Sequence, residues 1–291
     1  MSALKFGNII HKMDPVLERP AFSYQSHLNT VGRLEASSRE LSSMKPMDIH
    51  TPDRPSDEES DIADKVGWGR LLIGIIILLA LPALVLFGSS GRLDWDMGWV
   101  YVGLTAAFSL GSRSIILWKT PDLATERAQA SDKEDIEPWD KVLMPLGMIV
   151  ATVMLIVAGL DKRFEWSPNL PLSLHCTVFV ITALGYSLGT WATMANRFFS
   201  SVARIQLERE HVVVATGPYQ YVRHPGYAGA IVTSLATPLL LGSLWALIPA
   251  ALAVGQLIIR TALEDRFLQD NLEGYCDYAM QVRYRLLPGV W

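Results

Sequence analysis

The chain has 291 residues, half of them hydrophobic and only 19% charged, with a net charge of −4 at pH 7. That balance is too apolar for an ordinary soluble domain, and its slightly acidic charge argues against a nucleic-acid partner. Cys176 and Cys276 are the only cysteines and lie far apart, so they form neither a disulfide framework nor a zinc site; they read as unpaired, packed thiols, and no metal is expected.

Residues 1–66 are rich in Ser, Asp, Glu, Pro and Met, and no apolar run there approaches a signal-peptide core. Such a segment buries too little apolar surface to offset its ordering entropy, so a disordered cytoplasmic tail is expected. From there the pattern changes. Runs 71–91, 142–160, 167–196 and 226–259 contain no Asp, Glu, Lys or Arg, and 97–118 contains only Arg113. Roughly 20 apolar residues span the ~30 Å hydrocarbon core of a bilayer, so each run is long enough to cross.

The last run is too long for one span, because its 34 residues would make a helix of about 51 Å. Gly242 and Ser243 offer a break, giving a short antiparallel hairpin of helices near 226–241 and 244–262. The fold expected is all-α, an integral membrane protein with about six transmembrane helices. Residues 67–195 would form the first four, and 196–291 a core holding the last two. A helical pattern continues to Leu272 with Gly274 as its cap, and Tyr275, Tyr278 and Val282 mark one face of a further short helix.

Orientation follows from basic residues. With the N-terminus inside, segments 119–141, 197–225 and 260–291 carry Lys119, Arg127, Lys133, Lys141, Arg197, Arg204, Arg209, Arg223, Arg260, Arg266, Arg283 and Arg285. The outer loops carry only Arg92, Lys162 and Arg163. Both termini are therefore expected in the cytoplasm, with Trp95, Trp99 and Trp166 in an outer interfacial belt.

The chemistry concentrates at the inner surface. Gly217-Pro-Tyr-Gln-Tyr-Val-Arg-His-Pro-Gly-Tyr227 leads from a polar loop into the hairpin. Pro225 suits the first turn of a helix, whose free N–H groups at Gly226 and Tyr227 face the cytoplasm. Arg223 and His224 add positive charge, so the loop is suited to an anion. His211, Val212, Val213 and Val214 form a β-branched extended run, and Tyr219, Tyr221 and Tyr227 offer faces for a heterocycle. Arg260 and Glu264, one turn apart, would take a second anion and a cation. An amino-acid zwitterion joined to an aromatic base would satisfy most of these groups, and S-adenosylmethionine is such a molecule. No G-x-G-x-x-G turn points to a Rossmann domain.

Asn196-Arg-Phe-Phe-Ser-Ser, Ile205-Gln206 and the 211–227 run resemble the isoprenylcysteine carboxyl methyltransferase family. So do Arg260-Thr-Ala-Leu-Glu-Asp-Arg-Phe-Leu, Gly274-Tyr275, Tyr278, Val282-Arg283 and Leu287-Pro288. Leu123-Ala-Thr-Glu-Arg127 and Trp139-Asp-Lys141 look like its bacterial branch, and 1–66 lies outside the resemblance. The resemblance implies an integral membrane methyltransferase with S-adenosylmethionine as cofactor, held at the cytoplasmic face by Gln206, His211 to Val214, Tyr219, His224, Pro225, Gly226, Tyr227 and Glu264. It assigns Arg260 to the substrate carboxylate; the catalytic residues expected are Arg260 and Arg223. Fewer residues separate Gln206 from His211 than in the eukaryotic members. The partners implied are a lipophilic or lipid-linked carboxylate and the membrane lipids. Methylation of a lipid amine, as by the related phospholipid N-methyltransferases, stays open on the residues alone, as do an NADPH-dependent membrane reductase and a non-catalytic scaffold.

Overall fold

A computed structural model describes residues 74, 76, 77, 79–119 and 135–291. The tail assigned to 1–66 lies outside them. The described residues are helical and irregular only. Seven α-helices follow in order: α1 Leu79–Ser90, α2 Asp96–Lys119, α3 Asp140–Phe164, α4 Leu172–Ala195, α5 Pro225–Leu240, α6 Leu247–Asn271 and α7 Tyr275–Gln281. Among the described residues, α3, α4 and α6 are long and apolar enough to cross a membrane.

Helix α3 shows why this is a lipid-facing fold. Val142, Leu146, Ile149, Val153 and Ile156 recur at helical spacing and are all exposed, whereas Asp140 and Asp161 are buried. A water-soluble helix would show the reverse. The two aspartates are separated by about 31 Å at 1.5 Å per residue, close to one hydrocarbon thickness. Each is pinned to another part of the chain. Asp161 accepts from the Ser167 N–H (2.8 Å) and hydroxyl (2.6 Å) and from the Ser243 hydroxyl. Asp140 accepts from the Ala203 N–H (2.7 Å) and from Arg260. Between them Gln256 donates to the Leu143 carbonyl (2.9 Å), so α3 and α6 run antiparallel.

Helices α4 and α5 approach closely because glycine lines both. A Cβ on Gly229 would sit 2.6 Å from the Gly185 carbonyl oxygen, and one on Gly185 would sit 2.8 Å from Thr233 Cγ2. In lipid, such backbone proximity supplies the packing that hydrophobic burial supplies in water. His175 Nδ1 lies 3.1 Å from the Leu240 carbonyl, closing the far end of the same pair. A main core runs through the bundle around Leu86, Leu155, Ala158, Leu240 and Ala250. A smaller one, Ala192, Tyr219, Leu272, Tyr275 and Tyr278, sits at the end where α4 stops and α5 begins.

The break in the long apolar run falls where expected. Helix α5 ends at Leu240, Gly242 adopts φ +76°, and α6 starts at Leu247. Three readings need correction. Gly274, at φ +79°, precedes α7 as its N-cap rather than ending α6, which is capped at Leu272. Trp95 is core, not belt: it is 4% exposed and edge-on to Phe87, while Trp99 and Trp166 are about half exposed. Both cysteines are exposed rather than packed.

Candidate active site

The loop from α4 to α5 forms one wall of the site, and local chemistry sets its path. Asn196 turns the chain by accepting the Phe198 N–H on its side-chain oxygen (2.8 Å). Gly217, at φ +61°, lets the loop fold back on α4, where a Cβ would meet Ala195 at 3.0 Å. Tyr278 donates its hydroxyl to the Tyr219 carbonyl (2.6 Å), joining the loop to α7. The N–H groups of Arg223 and His224 donate to the carbonyls of Tyr284 (2.9 Å) and Arg285 (2.8 Å), so the C-terminal segment braces the entry to α5.

These elements enclose a cavity of about 300 Å³ against α6 and α7, at the lower end of the range for small-molecule sites. His211, Val212, Val213, Val214, Tyr219, Arg223, His224, Gly226, Tyr227, Arg260 and Glu264 all line it. Three of the expected residues do not. Gln206 is fully buried behind the wall, donating to the Phe198 carbonyl (2.7 Å) and accepting from Arg209 (2.6 Å). Pro225 is buried at the first turn of α5. Tyr221 is 60% exposed and offers no stacking face to the cavity. The 211–214 run carries no regular secondary structure.

Arg223 does not await an external anion. Its Nε (2.7 Å) and Nη2 (3.0 Å) grip Asp265, and its Nη1 donates to the carbonyls of Ala279 and Val282. Asp265 also accepts from Arg285 (2.7 Å), Tyr275 (3.1 Å) and Gln269 (2.8 Å), and lies 3.3 Å from His224 Nε2. The anion that the Arg-His-Pro loop is built to receive is therefore this one, internal and fully buried. Arg223 is thus a clamp that orders the wall it also lines.

Arg260 and Glu264 face the cavity and have separate partners. Arg260 docks its Nε (2.7 Å) and Nη2 (2.9 Å) on Asp140, and Nη2 also reaches the Ser201 carbonyl (2.7 Å). Its guanidinium lies 5.5 Å from the centre of the Tyr227 ring. Glu264 accepts the Tyr227 hydroxyl on Oε2. Tyr227 in turn stacks on His224, with ring centres 5.8 Å apart.

Sequence reasoning missed Asp265 and Asp140, the two buried carboxylates that organise the site, and the contributions of Phe198, Tyr275 and Tyr278 to its wall. Asp265 was within reach, as the only other carboxylate in the Arg260–Leu268 motif. Nothing in the sequence pairs Asp140 with a residue 120 positions away.

Protonation states suit an aromatic, mostly dry wall. Burial pushes the Tyr219, Tyr275 and Tyr278 hydroxyls up, and the charge of Asp265 adds to this at Tyr275, so all three stay protonated. His211 is pushed down from 6.5 to about 4, first by burial and then by the charges of Arg209 and Arg204. Its ring stacks on Phe198 at 4.5 Å and its Nδ1 accepts the Gln206 N–H (3.4 Å), a bond that only the neutral ring can accept.

Comparison with known proteins agrees with the resemblance read from the motifs. Residues 176–270 match the isoprenylcysteine carboxyl methyltransferase (ICMT) family. A protein-S-isoprenylcysteine O-methyltransferase of Schizosaccharomyces pombe is 28% identical over 123 residues, covering 36% of this chain and 52% of that protein. Protein-S-isoprenylcysteine O-methyltransferase B of Arabidopsis thaliana is 31% identical over 124 residues, covering 42% of this chain and 59% of the relative. The chain thus spans between half and three-fifths of the length of these curated relatives. A solved structure of the eukaryotic intramembrane Ras methyltransferase ICMT shares the fold, with a TM-score of 0.50, 20% identity, and coverage of 74% of this chain and 75% of that one.

Proposed function

Starting from residues 176–270 and their match to the isoprenylcysteine carboxyl methyltransferase family, we propose that this protein is an integral membrane methyltransferase using S-adenosylmethionine. Its acceptor is a lipophilic carboxylate, taken at the cytoplasmic membrane face. Helices α1 to α6 are read as six spans, with both termini in the cytoplasm. The observation that carries this reading is a single cavity holding a carboxylate, Glu264, and a guanidinium, Arg260, four residues apart within an aromatic wall.

The donor set fits the cofactor. Glu264 uses Oε2 for Tyr227, which leaves Oε1 to take an ammonium group. The opening turn of α5 lines the cavity at Gly226 and Tyr227 and suits a carboxylate. A Cβ on Gly226 would come 2.8 Å from Phe199, so only glycine keeps that part of the wall open. Val212 to Val214, Tyr219 and Tyr275 provide apolar and aromatic surface for a purine.

The cofactor, when bound, supplies an electrophilic methyl group. A carboxylate acceptor is ionised at pH 7, so the protein needs no general base. Its residues position and exclude water. Arg260 has its fork on Asp140, and Nη1 remains to meet the acceptor; recognition is by one nitrogen rather than by a bidentate clamp. Tyr227 lies between the two charged groups and orients both. Holding the two reactants in line accounts for most of the rate in such a site.

A reductase would need a free cation for a nicotinamide nucleotide's 2′-phosphate. Arg223, which lines the cavity, is held by Asp265, and Arg204, which also lines it, pairs with Asp135 (2.6 Å) and Glu208. The test is methyl transfer from labelled S-adenosylmethionine into small prenyl thioether carboxylates, fractionated lipids and membrane proteins. Base-labile label in a carboxylate acceptor is the expected result. Label confined to lipid amines would move the reading to N-methylation, and no transfer with bound NADPH would end it.

A further inference from the structure

Arg260 and Glu264 are four residues apart on α6, a spacing at which opposite charges ordinarily pair. No ion pair joins them. Arg260 is instead drawn to Asp140 through Nε and Nη2, at 2.7 and 2.9 Å, and Glu264 to the Tyr227 hydroxyl. Asp140 has no exposed surface and is outside the cavity wall, so it touches no ligand. It comes from the first turn of α3, outside residues 176–270. The Ala203 N–H, 2.7 Å from Oδ2, fixes its carboxylate in the plane that the guanidinium fork needs.

We infer that Asp140 is a positioning residue that holds Arg260 away from Glu264, keeping Glu264 open for the cofactor's ammonium group. The inference rests on the methyltransferase reading. Without Asp140, Arg260 is a mostly buried cation beside a cavity, and the carboxylate one helical turn away is its natural replacement partner. Arg260 would then occupy Glu264 and repel the cationic cofactor. Asp140 therefore acts on cofactor affinity only through Arg260, from outside the cavity wall.

This makes a suppression test possible with detergent-purified full-length protein and equilibrium binding of S-adenosylmethionine. Asp140→Asn keeps the shape and removes the charge, and it is expected to weaken binding about tenfold or more. Arg260→Met alone lowers turnover and leaves cofactor affinity within about twofold of wild type. Adding Arg260→Met to Asp140→Asn removes the competitor along with its keeper, and affinity should return to within about twofold of wild type. A merely structural role for Asp140 would leave the double variant at least as weak as Asp140→Asn. That outcome overturns the inference, as does Asp140→Asn binding like wild type. If Asp140→Asn alone does not fold, the double variant, which carries no unpaired charge, decides by the same threshold. Failure of the wild type to bind S-adenosylmethionine would instead sink the methyltransferase reading.

Discussion

Glu264 and Asp265 are adjacent, carry the same charge and line or support the same site, yet their surroundings give them different work. Glu264 has one protein partner and faces the cavity; Asp265 has five and no exposed surface. Glu264→Gln should therefore weaken S-adenosylmethionine binding about tenfold to a hundredfold, the loss of one charge-assisted hydrogen bond, with little change in thermal unfolding. Asp265→Asn leaves the Arg223 and Arg285 guanidiniums facing a neutral amide, and destabilises the fold by roughly 3–5 kcal/mol. Measuring affinity and unfolding midpoint for both variants tests the division; similar profiles would contradict it. The sequence made Glu264 legible because its motif is shared, but the partners of Arg223 were not, since a fork accepts any carboxylate that the fold delivers. His211 adds a pH signature. Folded, it is held down to about 4 against 6.5 for the free ring. The unfolded chain takes up the proton first, so the stability contributed is complete above about 6.5 and lost as pH falls towards 4. His211→Gln should flatten the dependence of the unfolding midpoint over that window, and an unchanged slope would count against the assignment.

At the level of elements, the apolar runs made the helices legible and the contacts between them illegible. Gly242 and Ser243 announced the hairpin because glycine and serine interrupt helices wherever they pack. Gly185 and Gly229 announced nothing, because a glycine in a membrane helix has the same sequence appearance whether it faces lipid or another backbone. The structure separates the cases. Gly229→Ala drives a methyl group to 2.6 Å from a backbone oxygen that cannot rotate away, whereas Gly189→Ala, on the neighbouring turn of α4, meets open space. Overpacking of the first kind costs about 1–3 kcal/mol, while alanine in an open helical position is neutral or mildly stabilising. Unfolding midpoints in detergent should fall for Gly229→Ala and hold or rise for Gly189→Ala. The reverse order would mean that α4 and α5 do not meet at these residues.

On the scale of the whole molecule, the buried aspartates of α3 mark two surfaces one hydrocarbon thickness apart. Asp140 binds Ala203, in the loop between α4 and α5, and Arg260 of α6, which lines the cavity; Asp161 binds Ser167 and Ser243 and is followed in α3 by the basic residues Lys162 and Arg163. The excess of basic residues near the first surface predicts that α7 is on the cytoplasmic side. The exposed native cysteines make this testable without added reporters. Cys276 is in α7 beside the cavity, and Cys176 is in the second turn of α4, near the opposite surface. In a Cys176→Ser background, a membrane-impermeant maleimide should leave Cys276 unlabelled in intact cells and label it in inverted vesicles. Labelling from outside intact cells would reverse the orientation and move the cavity to the other face of the membrane. Because α7 packs its Tyr275 and Tyr278 into the site's own core, the side of the membrane that Cys276 occupies is also the side of the cavity.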